Sequence, residues 1–171
     1  LKGAKLERRV DEVLELIGLT DRQKDRVGKY SGGMKRRVNI GAALLHEPRF
    51  LYLDEPTVGI DPQSRRSIPD GVKDQNKNGV TVLYTTHSME EAQELSDRIA
   101  IMYLGKIVEL GSSEIITTRP RHAYTKALLS AIPVPDPSVR PQRALPAGDV
   151  PSPINPPPGC AYGHRMNAPR Y

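Results

Sequence analysis

The chain has 171 residues, 37% of them apolar and 26% charged, which is enough for one domain with a real core. No stretch approaches the roughly 18 uninterrupted apolar residues of a membrane span, and the opening Leu1-Lys2-Gly3-Ala4-Lys5 lacks the apolar heart of a signal peptide. The net charge of +5 is unevenly placed: residues 1–118 hold 18 Lys/Arg against 18 Asp/Glu, while residues 119–171 hold 7 against 2, along with 12 of the 16 prolines. That basic segment has neither aromatic interleaving nor a Lys/Arg cluster, so no nucleic-acid partner is expected. Cys160 is the sole cysteine, which excludes an internal disulfide and suits a reducing compartment. A first residue of Leu rather than Met suits a fragment.

Leu6, Val10, Val13, Leu14 and Ile17 recur at helical spacing, so residues 5–17 are expected as an amphipathic helix that Gly18 ends. Residues 21–29 are polar and read as a short helix or loop. A second helix is expected over 34–46, stopped by Pro48, and Phe50 to Leu53 reads as a short strand buried on both faces. Asp61-Pro62 has the chemistry of a helix start. Pro69 then falls where that helix should continue, and Ile68-Pro69-Asp70-Gly71 reads as a turn. Val80 to Tyr84 is a second strand. Ser88 with Glu91 forms a capping box for a helix through Leu95. Arg98–Met102 and Lys106–Leu110 read as strands joined at Leu104-Gly105. The order argues for an α/β sheet ending in a hairpin. One further helix is expected over 122–132, followed by an extended, proline-rich arm.

Two features carry chemistry. Ser31-Gly32-Gly33 opens a helix: the glycines let backbone approach an anion, and the helix start directs unpaired N–H groups and the positive dipole end at it. The bland alternative is a turn with an N-cap. The second feature is the apolar strand that ends in Asp54-Glu55. A parallel strand delivers such carboxylates to the edge of the sheet, where one can hold Mg²⁺ through water and the next can polarise an attacking water. His87 follows the second strand and so reaches the same edge.

In order and spacing these features resemble ATP-binding cassette (ABC) ATPases. Tyr30 to Met34 resembles the signature motif, with Tyr and Met in place of the commonest Leu and Gln. Phe50 to Asp54 resembles Walker B, with Glu55 as the catalytic glutamate. Val58 to Asp61 resembles the D-loop and Thr86-His87 the switch histidine. The resemblance implies the C-terminal part of a P-loop NTPase-like domain, with a parallel sheet, flanking helices and a helical signature subdomain. Its implied ligands are ATP and Mg²⁺. Ser31, Gly32, Gly33 and Met34 would face a partner's nucleotide, Asp54 the metal, Glu55 and His87 the hydrolytic chemistry, and Asp61 the dimer. The implied partners are a second cassette, paired head to tail, and an integral membrane permease. The implied location is peripheral, on the cytoplasmic face of the cell membrane.

Residues 120–136 and 148–160 resemble the C-terminal extension of oligopeptide and dipeptide importer ATPases, so the division expected is 1–118 as partial cassette and 119–171 as extension. Residues 30–37 and 85–102 are closer to drug- or polysaccharide-exporter cassettes. Either the family mixes these features or the chain is a chimera. No G-x-x-x-x-G-K-[ST] occurs in the sequence, so the 171 residues alone are expected to be inactive. A regulatory half-cassette is the alternative. Some peptide-importer ATPases hold an iron–sulfur cluster on tail cysteines; here Cys160 stands alone, with Met166 where a second would fall, and no cluster is expected.

Overall fold

A computed structural model describes residues 2–60, 67–132, 150, 152, 154 and 159–166. Asp61 and the helix start at Asp61-Pro62 lie outside the described residues, as do most of the proline-rich arm and residues 148–160 apart from a few positions. The chain forms two compact units, residues 1–87 and 88–171.

In the first unit, helix α1 (Ala4–Leu16) matches the apolar spacing and ends in a Schellman motif. Gly18 takes φ 62, its N–H bonds the Glu15 carbonyl, and the Leu19 N–H reaches Leu14. Helix α2 (Gly32–Leu44) crosses α1 closely because Gly41 has no side chain: a Cβ there would stand 2.9 Å from Ile17 Cδ1 and 3.0 Å from Val13 Cγ1. Two arginines tie the pair together at carbonyls that helix geometry leaves open. Arg9 Nη2 donates to the Leu44 carbonyl at 2.8 Å, and Arg37 Nη1 donates to those of Ile17 and Gly18.

Strands β1 (Phe50–Asp54) and β2 (Thr81–Thr85) pair in parallel, with Asp54 opposite Thr85. Leu51 and Leu53 point into a core shared with Val13, Leu44, Ile68 and Val72, while Phe50 and Tyr52 are 63% and 72% exposed. The strand is therefore buried on one face, not both. A run of four apolar residues does not say how many layers cover it.

Helix α3 (Ser67–Lys77) overturns the turn expected at Ile68–Gly71. Pro69 sits in its first turn, where an N–H has no intrahelical acceptor to lose, so the ring is tolerated.

The second unit opens with α4 (Met89–Leu95), capped as expected by the Ser88 hydroxyl accepting from the Glu91 N–H at 3.3 Å. Strands β3 (Arg98–Tyr103) and β4 (Lys106–Ser112) form an antiparallel hairpin and make a two-stranded sheet of their own. Leu104 and Gly105 both have positive φ, 48 and 74, the geometry of a type I′ turn. Two short helices follow: α5 (Ser113–Thr118), which the sequence reading did not anticipate, and α6 (Ala123–Ser130), which it did.

Residues 159–166 are not a free arm. Tyr162 is 3% exposed and packs edge-on to Tyr103, ring centroids 5.3 Å apart, with Tyr124 closing the cluster at 5.2 Å. Met166 joins the same apolar group. Beside it, Glu109 accepts from the N–H groups of Arg121 (2.7 Å) and His122 (3.1 Å), the entry to α6. Burial pushes this carboxyl up, but the Thr125 hydroxyl, the two N–H groups and the His122 charge outweigh it, and it titrates below the ordinary carboxylate value.

Two measurements check this packing. Gly41→Ala should destabilise the first unit by about 1–3 kcal/mol through overpacking, read as a lower denaturation midpoint. Because the Glu109 pKa is depressed on folding, its contribution is present above the unfolded value of 4.5 and fades as pH falls through the folded one. Thermal melts of Glu109→Gln should therefore differ most from wild type at neutral pH and converge with it in acid.

Candidate functional site

The site is the C-terminal end of the β1–β2 pair together with the start of α2, all within the first unit. The α2 start is built from sequence. Ser31 is its N-cap, the hydroxyl accepting from the Met34 N–H at 3.2 Å. Tyr30, 8% exposed, packs with Ile17 and Leu19, and its hydroxyl donates to the Arg22 carbonyl at 2.6 Å, fixing the approach to the cap. The Met34 side chain packs against the same cluster. Helix geometry leaves the N–H groups of Gly32 and Gly33 without intrahelical acceptors. A Cβ on Gly32 would meet nothing within 4 Å, so the backbone is open to an approaching group there.

At the strand ends, β1 stops in a left-handed turn at Glu55, φ 42, a conformation that disfavours a non-glycine residue by about 1–2 kcal/mol. Its N–H bonds both the carbonyl and the hydroxyl of Thr85, each at 3.1 Å. The Thr85 hydroxyl in turn donates to Asp54 Oδ1. His87 Nδ1 lies 3.3 Å from Glu55 Oε1, an ion pair when the imidazole is protonated, and both side chains are solvent-accessible. From α2, Arg36 donates to three successive carbonyls, those of Asp54 (2.7 Å), Glu55 and Pro56 (3.3 Å). The fold thus brings Asp54, Glu55 and His87 to one sheet edge. Asp61 lies outside the described residues.

Residues 3–58 match the family model "ABC transporter", and residues 108–168 match "Oligopeptide/dipeptide transporter, C-terminal region". The chain is thus similar to ABC transporter ATP-binding proteins over both of these segments. A putative peptide import ATP-binding protein of Brucella ovis is 40% identical over 167 residues, 95% of this chain and 53% of that protein. The oligopeptide transport ATP-binding protein OppF of Haemophilus influenzae is 34% identical over 96% of this chain and 51% of its own length. The linearmycin resistance ATP-binding protein LnrL of Bacillus subtilis is 51% identical over 119 residues, 70% of this chain and 38% of that protein. The chain spans about half the length, or less, of these relatives. A solved ATP-binding cassette of an ABC transporter, in its ADP conformation, shares the fold with a TM-score of 0.61 at 24% identity, over 74% of this chain and 51% of that one.

Sequence reading passed over Arg36 and Thr85. Arg36 stands in a run of three basic residues that reads as a solvated helix face, and Thr85 reads as the last residue of a strand. Only the strand register, which sets Thr85 opposite Asp54, gives Thr85 a signal, and Arg36 has none.

Gly32→Ala separates packing from ligand approach. The added methyl has open space, so the melting temperature should hold or rise, in contrast to Gly41→Ala on the same helix. A drop in melting temperature would show that Gly32 serves the fold instead.

Proposed function

We propose that this chain is the signature-and-carboxylate part of an ATPase that drives transport across a membrane, with peptides as the substrate class. The observation that carries the reading is the meeting of Glu55 with His87 at the end of a parallel strand pair, in a chain similar to ABC transporter ATP-binding proteins. The residues present fit the implied ligands. Asp54 offers an exposed carboxylate, a hard oxygen donor suited to Mg²⁺, and the α2 start offers open N–H groups at the positive end of a 13-residue helix. Mg²⁺, when bound, supplies charge neutralisation on the phosphates.

The roles follow from position. Asp54 would hold the metal, with one oxygen already steadied by Thr85. Glu55 orients the attacking water and accepts its proton, and His87 steadies the charge that develops beside it. Ser31, Gly32 and Gly33 face the terminal phosphate of nucleotide held by a second cassette, with Met34 beside them and its N–H on the Ser31 hydroxyl, and Asp61 bridges the two. No phosphate-loop motif occurs in these 171 residues, so ATP hydrolysis is proposed for a complete cassette and not for the 171 residues alone.

A permease is the further partner, and nucleic acid is not. Peripheral attachment at the cytoplasmic face of the membrane is part of the proposal; among the described residues no helix is long and apolar enough to cross a membrane. An iron–sulfur cluster is not part of the proposal, because a single thiolate cannot hold one. The peptide class rests on the match of residues 108–168. Export of a drug-like compound is the second reading, favoured by the 51% identity to the linearmycin resistance protein.

Glu55→Gln, made in the native assembly that contains this chain, should lower ATP turnover by about 10²–10⁴-fold, the range of a general base, while nucleotide binding persists. Undiminished hydrolysis would contradict the role.

A further inference from the structure

The segment Asp54-Glu55-Pro56 is gripped from two sides. On one side is β2: the Thr85 hydroxyl accepts the Glu55 N–H at 3.1 Å and donates to Asp54 Oδ1, so one side chain fixes both the amide of one acidic residue and the carboxylate of the other. On the other side is α2: the Arg36 guanidinium donates to the carbonyls of Asp54, Glu55 and Pro56. Between the two grips the Glu55 backbone is left-handed, φ 42. A non-glycine residue keeps such a conformation only where its surroundings over-determine it. Here its N–H is held by Thr85 and its carbonyl by Arg36. Arg36 also lies four residues after Gly32, about one turn along the same helix.

We propose that Arg36 and Thr85 are positioning residues that hold Glu55 in its left-handed turn. The residue types suit the task. A planar guanidinium presents several donors in a fixed fork and can bridge neighbouring carbonyls, which a lysine ammonium does less well. A threonine hydroxyl donates and accepts at once. This inference rests on the proposed ATPase activity.

The test compares Thr85→Val, Thr85→Ser, Arg36→Gln and Arg36→Lys in the native assembly, reading kcat and KM for ATP with melting temperature. Thr85→Val and Arg36→Gln should lower kcat about 10- to 100-fold, a share of the general-base range, with KM within about threefold. Thr85→Ser, which keeps the hydroxyl, should restore kcat to within about threefold, and Arg36→Lys should fall between. Introduced into Glu55→Gln, Thr85→Val and Arg36→Gln should change residual turnover no further, because residues acting through Glu55 are non-additive with it. A purely structural tie would instead add its loss in that background.

If Arg36→Gln does not fold, the Thr85→Val and Thr85→Ser pair decides the matter. Normal dependence on Glu55 with kcat unaffected in Thr85→Val and Arg36→Gln overturns this inference alone. An assembly that hydrolyses no ATP, or hydrolyses it undiminished after Glu55→Gln, overturns the functional reading and this inference with it.

Discussion

The turn at Glu55 is the constraint around which the rest of the site is arranged. In a continuing strand, successive side chains point to opposite faces, so adjacent carboxylates would part. The strand instead breaks at φ 42, and the Glu55 carboxylate comes within 3.3 Å of His87 at the end of the neighbouring strand. This conformation is intrinsically unfavourable, and its polar backbone groups need partners. The parallel register supplies one set by placing Thr85 opposite Asp54. Helix α2 supplies the other through Arg36. Strand pairing, helix packing and site geometry are therefore one problem. A change in any of them moves the acidic pair.

The position of α2 depends in turn on a contact with no polar component. Gly41 lets it settle against Val13 and Ile17 of α1, and Arg9 and Arg37 close the ends. Apolar packing at one end of α2 thus sets where its start, Ser31-Gly32-Gly33, stands. Leu44, 1% exposed, carries the same helix into the core that holds β1. A helix anchored in this way can present an open N-terminus without relying on that N-terminus for stability.

What could be read from sequence was what is local. The spacing of Leu6 to Ile17, the cap at Ser88, the turn at Leu104-Gly105 and the strands that carry Asp54 and precede His87 each follow from a few adjacent residues. What could not be read depended on partners distant in sequence or on an unmarked boundary. Pro69 reads as a breaker unless one knows that the helix starts at Ser67. Helix α5 is six residues rich in Ile and Thr, too short and too β-branched to show a period. Tyr162 sits after a proline-rich stretch that points to an extended arm, yet its ring finds Tyr103 and Tyr124, residues separated from it by that whole stretch. Arg36 looks solvated because its three acceptors are main-chain carbonyls, which no side-chain pattern announces.

The most direct test of the account is where the metal of bound nucleotide sits. In the native assembly loaded with ATP, Mg²⁺ would be replaced by Fe²⁺ and the backbone cleaved by locally generated hydroxyl radicals, with the cut sites mapped along this chain. The account predicts ATP-dependent cleavage at Asp54-Glu55-Pro56, with a second set of cuts near Ser31-Gly32-Gly33. Cleavage confined to other segments, or none in this chain while ATP is bound, would contradict it.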